Sequence, residues 1–202
     1  MPLVDPNSAN YRPRDYRMIG IGLCIGAVVL FAYAAFSHRW LENRVSERTF
    51  VGFSLIGFDA CSGDECQSVS NFALIREIKS RLSRREEPPS SAFAPAGVIT
   101  MAVSLLSIMA LGATAFFVWK KRRLAWRMPP TTIALLSIMV ALLAGCLFIA
   151  KKPGGYGAVG VGPSFWAFAI ACVIGIAGAQ MLNKYIKAID PDLGPSSSGN
   201  AL

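Results

Sequence analysis

The stretch TTIALLSIMVALLAGCLFIA, Thr131–Ala150, decides the fold of this chain, because it holds 20 residues without one Asp, Glu, Lys, Arg or His. About 20 apolar residues are needed to cross a hydrocarbon core of about 30 Å as a helix. In lipid every backbone amide must be bonded internally, so such a run predicts a helix. Three further runs have the same character: Met18–Phe36, Ala96–Trp119 and Phe165–Leu182. We therefore predict an all-α membrane protein whose four-helix membrane domain spans 18–182.

The composition agrees with a membrane protein of one domain. Hydrophobic residues make up 53% of the 202 residues, and the mean hydropathy is +0.46, which is above the range of ordinary soluble domains. The formal net charge of +8 could indicate nucleic-acid binding. The excess lies almost wholly beside the apolar runs, however, so it predicts topology signals and no nucleic-acid partner.

The first run, 18–36, also has features of a secretory signal. It is positively flanked and contains AYA, Ala32–Ala34, which resembles a small-residue cleavage site. Its 19 uncharged residues exceed the usual signal core of about 7 to 15. The length favours an uncleaved anchor.

Basic residues predict the orientation. KKRRLAWR, Lys120–Arg127, places five cations between the second and third runs, whereas the long connection 37–95 holds eight basic and eight acidic residues. The positive-inside rule makes the basic connection cytoplasmic. We expect a plasma or inner membrane protein with cytoplasmic tails 1–17 and 183–202 and an external loop domain 37–95.

The same basic connection could also bind anionic lipid headgroups, at about 1 kcal/mol per cation near the surface. The plainer interpretation is a topology anchor flanked by interfacial tryptophans. The candidate headgroup ligands are Lys120, Lys121, Arg122, Arg123 and Arg127.

Two cysteines of the long loop, Cys61 and Cys66, face an oxidising compartment in this topology, so we expect a disulfide. A redox-active pair is the alternative, as in four-helix thiol oxidases of the vitamin-K-epoxide-reductase type. Those enzymes need a second dithiol, and here Cys24, Cys146 and Cys172 stand singly in the apolar runs. We expect no enzyme, no cofactor and no small-molecule substrate.

A metal site at the same turn is the weakest alternative. Zinc requires more Cys or His ligands than the loop offers, and His38 is the only histidine. The carboxylates of Asp59, Asp64 and Glu65 suit calcium, but their irregular spacing is more typical of solvated charges. We expect no metal.

The loop around the cysteines predicts a small folded cap. Arg48–Phe58 is rich in β-formers, with Phe53 in its apolar alternation and Gly57 as a turn or bulge point. NFALIREIKSRL then places Phe72, Ile75, Ile78 and Leu82 at helical spacing. A strand, a disulfide turn and an amphipathic helix would rest on the bundle.

Rows of small residues predict where the long helices approach each other closely. Packing within one chain is the plain interpretation, and an oligomer interface on the last helix is the alternative. The rows are Gly22 and Gly26; Ser137, Ala141 and Gly145; and Ala167, Ala171, Gly175 and Ala179.

With Trp40 near the start of the loop, a Gly-apolar step at Gly57 and Phe58, and then Cys61 and Cys66, the chain resembles the claudin and PMP22-like family of four-helix membrane proteins. It departs where Asp59 replaces the family's Trp of the Gly-Leu-Trp element. The resemblance implies an adhesion, barrier or membrane-organising role through the external loop. Membrane lipids and other membrane proteins, including copies of itself, would then be the partners. The alternatives are an accessory subunit of a larger membrane complex and a thiol-disulfide oxidoreductase.

Overall fold

The computed structural model describes residues 13–46, 49–62, 65–81, 90–120, 130–152 and 159–189. Four of its helices are long and apolar enough to cross a membrane, which confirms the predicted all-α class and the four spans. Each starts or ends within a few residues of its predicted run, except that the last continues further. The helices are α1 (Pro13–Phe36), α2 (Asn71–Arg81), α3 (Phe93–Lys120), α4 (Pro130–Ala150) and α5 (Pro163–Ile189).

Helix starts follow from local chemistry. Three of the long helices begin at a proline, where the missing amide proton has no helical partner to lose. The short α2 begins after Ser70, whose Oγ accepts a hydrogen bond from the Ala73 amide at 3.2 Å. This is the N-cap interaction that satisfies one free amide of the first turn.

The four long helices form a square bundle in which α1 packs on α3 and α5, and α4 packs on the same two helices. Chain order makes every neighbouring pair antiparallel. The end of α1, the start of α3, the end of α4 and the start of α5 meet at one end, which we call the cap side. The opposite end is the terminus side.

Five short strands form one antiparallel sheet on the cap side, in the order β4-β3-β2-β1-β5. The sheet is larger than the single strand that we expected, and its last strand comes from the connection between α4 and α5. The sheet and α2 together are the cap. The strands are β1 (Leu41–Ser46), β2 (Thr49–Phe53), β3 (Gly57–Ser62), β4 (Glu65–Ser70) and β5 (Gly160–Val161).

Helix α2 buries a different face from the predicted one. Leu74 and Ile75 are buried and Ile78 is half-buried, whereas Phe72 is 50% exposed, so the expectation was wrong for Phe72. The buried face is set by the neighbouring Asn71, which is 1% exposed. Leu82 lies outside the described residues.

Small residues bring the long helices together, though not all of those expected. Ser137, Ala141 and Gly145 are buried on α4, as are Ala171, Gly175 and Ala179 on α5, whereas Ala167 and Gly26 are half-buried. Gly22 is a correction: it is exposed, and an added Cβ would meet nothing within 4 Å.

A close approach of the α1 and α5 backbones occurs at Gly178, which is not one of the small residues predicted to pack. An added Cβ would lie 2.9 Å from Sγ of Cys24, 3.0 Å from its backbone nitrogen and 3.0 Å from Cβ of Leu23. Because a backbone atom cannot move aside, the glycine is required for this spacing.

We expect Gly178→Ala to destabilise the bundle by about 1 to 3 kcal/mol, since an extra methyl group in a packed contact forces the helices apart. The matched control is Gly22→Ala, where the methyl group enters open space. Unfolding by SDS titration of both purified variants measures the difference. Equal stability of the two variants would contradict the close α1–α5 contact.

Candidate functional site

Trp40 joins the cap to the bundle. It lies between the end of α1 and the start of β1, and it is fully buried. Its indole Nε1 donates to the carbonyl of Ala34 at 2.6 Å, one of the last α1 carbonyls, which lack an intrahelical partner. Its backbone amide donates to Phe53 at 2.9 Å, and its carbonyl accepts from Gly162 at 2.8 Å. One residue therefore contacts α1, β2 and the connection that precedes α5.

An aromatic chain continues from Trp40 in both directions. Ring centroids about 4.5 to 7 Å apart suit edge-to-face or offset contacts, each worth about 0.5 to 1.5 kcal/mol beyond burial. Toward the cap the successive rings are Trp40, Phe148 (5.9 Å), Phe93 (4.4 Å), Phe53 (5.8 Å) and Phe58 (4.8 Å), and toward α1 they are Trp40, Phe168 (5.1 Å) and Phe31 (5.7 Å).

The turn between β2 and β3 is held by side-chain hydrogen bonds. Oγ of Ser54 accepts from the Gly57 amide at 2.8 Å, and the Ser54 amide donates to the Gly57 carbonyl at 2.8 Å. Nδ2 of Asn71 donates to the carbonyls of Ser54 at 3.2 Å and Leu55 at 3.1 Å. These bonds satisfy turn carbonyls that no strand pairs, so α2 and the turn form one unit.

The turn docks on α3 at Gly97. Leu55 is fully buried there, and a Cβ added to Gly97 would overlap the Leu55 carbonyl. No pattern in the sequence singled out Asn71, Leu55 or Gly97 as a contact of this turn. Gly97 follows Pro95 and Ala96 at the start of an apolar run. A glycine in that place indicates a close approach of another segment. The local sequence does not show which segment approaches it.

The disulfide Cys61–Cys66 is present, as expected. The two residues are paired across β3 and β4, with Cα atoms 4.1 Å apart, so the bond links the two strands of the β3–β4 hairpin. Cys24 and Cys172 are buried, and Cys146 is exposed on α4. Within the described ranges, no three His, Cys, Asp or Glu side chains come together as metal ligands. Asp64 of the calcium alternative lies outside those ranges.

Two polar side-chain pairs lie at the junction between α1 and the sheet. Nδ1 of His38 lies 2.9 Å from Oδ2 of Asp59, at the centre of β3, although the His38 side chain is 69% exposed. Arg39 pairs with Glu42 at 2.8 Å. Exposed pairs of this kind contribute about 0 to 1 kcal/mol, so they orient the junction more than they stabilise it.

A small pocket lies between the sheet and α2. Its volume is about 170 Å³, and Phe58, Val69, Leu74 and Ile78 line it. The Glu77–Arg81 ion pair, with an N–O distance of 2.6 Å, stands at its rim. Small-molecule sites usually measure about 300 to 1,000 Å³, so this volume is typical of a packing gap between elements.

Three apolar side chains near the β4 edge of the cap are exposed, and we call them the cap patch: Ile56 (49%), Val69 (38%) and Phe72 (50%). The backbones carrying them adjoin, because the Asn71 amide donates to the Ile56 carbonyl at 3.0 Å. Strand β4, which carries Val69, is the free edge of the sheet and is exposed along its length. Neighbouring exposed apolar groups at a free edge are typical of contact surfaces.

Of the predicted site residues, the structure brings Trp40, Phe53, Phe58, Ile75 and Ile78 into the cap and its junction with the bundle. Gly57 closes the turn, and Phe72 belongs to the exposed patch. On the terminus side Lys120 is exposed, with Nζ 5.2 Å from the centroid of the Trp119 ring. The remaining candidate headgroup ligands lie outside the described residues: Lys121, Arg122, Arg123 and Arg127.

Two comparisons with known proteins were negative. No protein-family model matches the chain, and no curated protein matches it at a significant level.

We expect Trp40→Ala to destabilise the protein by about 3 to 5 kcal/mol, because it removes a fully buried indole at the junction of cap and bundle. Trp40→Phe keeps most of the ring contacts and leaves the Ala34 carbonyl without its donor, which costs about 1 to 3 kcal/mol. SDS titration measures both. Trp166→Ala is the control, since that side chain is 61% exposed on α5. If Trp166→Ala cost as much as Trp40→Ala, the anchoring role would be wrong.

Gly97→Ala is expected to cost about 2 kcal/mol, because the new methyl group overlaps the Leu55 carbonyl and pushes the turn off α3. Gly112→Ala, on the same helix, is the matched control: its Cβ would meet nothing within 4 Å. Hydrogen exchange of the cap amides should accelerate in the first variant alone. Unchanged exchange in Gly97→Ala would show that the turn does not dock there.

Proposed function

We propose that this multi-pass membrane protein is a claudin-like structural and interaction protein that works by contact through its cap. The observation that carries the proposal is the cap patch. Ile56, Val69 and Phe72 are exposed on the β2–β3 turn, β4 and α2, and the turn is docked on α3 at Gly97. A rigid surface with protruding apolar side chains loses little conformational freedom on binding, which favours specific contact.

The small residues of α4 and α5 pack within the chain, which favours a partner contact through the cap over one through α5. Gly175 and Gly178 face α1, α3 and α4 within the same chain, and Gly145 faces Phe168 of α5 at 2.9 Å from its virtual Cβ. These rows are therefore occupied by packing inside the bundle. This favours the cap patch as the contact surface for a partner.

The distribution of charge supports a topology with cytoplasmic termini and an external cap. The carboxylates whose side chains the structure describes, Glu42, Asp59, Glu65 and Glu77, belong to the cap, whereas Asp15 lies near the start of α1. Arg17 and Lys120 lie at the terminus side. Positive residues beside the spans are retained on the cytoplasmic side, and an external cap matches the oxidised Cys61–Cys66 pair.

The test is a substitution in the patch. Phe72→Ser should weaken association with a second copy, or with a partner membrane protein, by about tenfold, as expected for removing one apolar anchor from an interface. Val161→Ser is the matched control, since Val161 is also exposed on the sheet, at 39%, but on β5 at the opposite edge. Native mass spectrometry after gentle extraction, with thiol alkylation of the same sample, measures both.

Each of the three candidate functions predicts a different outcome. A homo-oligomer that Phe72→Ser disrupts and Val161→Ser does not would support the proposal. A fixed assembly with other chains that Phe72→Ser does not disrupt would indicate an accessory subunit. A monomer with bound quinone and a Cys61–Cys66 bond that exchanges with a soluble dithiol protein would make it an oxidoreductase.

A further inference from the structure

A groove runs between α1 and α3 in the half of the bundle nearest the terminus side. Its volume is about 210 Å³, and its walls are almost wholly apolar. We call it the α1–α3 groove. It is lined chiefly by Ile21, Ile25 and Val28 on α1 and by Gly112, Phe116 and Trp119 on α3.

The dimensions of the groove fit one leaflet. Gly112 and Trp119 are seven residues apart on α3, which is about 10 Å at about 1.5 Å per residue. Half of a hydrocarbon core is about 15 Å. Gly112 forms the notch at the deep end, because a Cβ there would meet nothing within 4 Å. The groove therefore lies at the depth of the acyl chains of one leaflet.

Two cations stand at the shallow end of the groove, on either side of Trp119. Nη2 of Arg17 donates to the Trp119 carbonyl at 2.8 Å, and Nζ of Lys120 lies over the Trp119 ring. Nε of Arg17 is buried and has no hydrogen-bond partner among the described residues. This N–H is thus a donor that an oxygen of a bound ligand can accept from.

The charge at this end is of one sign among the described side chains. The carboxylates whose side chains the structure describes lie in the cap, at the other end of the bundle; Asp15, near the start of α1, is not among those side chains. Arginine guanidinium and lysine ammonium groups are the donors that bind phosphate oxygens in proteins. An apolar groove at acyl-chain depth, with two cations at headgroup level, has the chemistry of a phospholipid site.

We propose that the α1–α3 groove binds one anionic phospholipid of the leaflet on the terminus side. One acyl chain lies between α1 and α3 and reaches the notch at Gly112. The headgroup lies against Arg17 and Lys120. This site is independent of the cap and of the function proposed for it.

The experiment uses full-length protein in nanodiscs of phosphatidylcholine. In one sample a minor share of the lipid is phosphatidylserine with a diazirine in its acyl chain, and in a parallel sample it is phosphatidylcholine with the same label. After photolysis the cross-linked residues are located by peptide mass spectrometry. We expect phosphatidylserine to label the groove residues above the other lipid-facing positions, and more strongly than phosphatidylcholine does.

Two variants separate the acyl and headgroup parts. Gly112→Leu fills the notch and should abolish the enrichment, whereas Gly22→Leu places the same side chain on a lipid-facing position of α1 outside the groove and should leave it unchanged. Lys120→Gln should lower the preference for phosphatidylserine about fivefold, the effect of one headgroup cation. SDS titration verifies that each variant is folded.

Three results would overturn the proposal. Labelling spread evenly around the bundle would mean ordinary annular lipid. Equal labelling of the groove by both lipids would show that the site does not select the anionic headgroup. Enrichment that persists in folded Gly112→Leu would place the acyl chain elsewhere.

Discussion

The burial of Trp40 is the constraint on which the rest of the structure depends. Its indole satisfies a free carbonyl at the end of α1, and its ring contacts Phe148, Phe165 and Phe168 of the two last helices. Its backbone is bonded to β2 and to the segment before α5. Cap and bundle therefore share one continuous hydrophobic core. This is why a sheet of short strands, which would be marginal alone, has a defined position above the helices.

The spans could be predicted from the sequence because one property, uncharged length, decides them. The sheet could be predicted only in part. Strand β2 is rich in β-formers, but β1 reads LENRVS and β5 has two residues, so neither carries a local β signal. Strand β1 forms by pairing along its length with β2, and β5 forms by pairing with β1, Val161 with Leu41 and Gly160 with Glu42. That pairing joins segments far apart in the chain, and no local pattern contains it.

The cysteine pair could be predicted because it rests on spacing and compartment. The face of α2 could not, because Phe72, Ile75 and Ile78 fit helical spacing as well as Leu74, Ile75 and Ile78 do. The choice is made by Asn71, whose amide must reach the turn carbonyls. Glycines are similarly ambiguous: small residues mark close approach only where another helix lies opposite, so Gly178 is packed against α1 and Gly22 faces outward.

The order in which the chain is synthesised has a consequence for the junction. Ser37 and Ser164, whose hydroxyls contact across the base of the cap, are separated by 127 positions, and the rings around Trp40 come from the last two helices. Loops that close over such distances close late. While the first half of the chain enters the membrane, Trp40 can contact α1 and β2 but lacks Phe148, Phe165 and Phe168 of the later helices. Full burial of this one tryptophan therefore requires the insertion of α4 and α5.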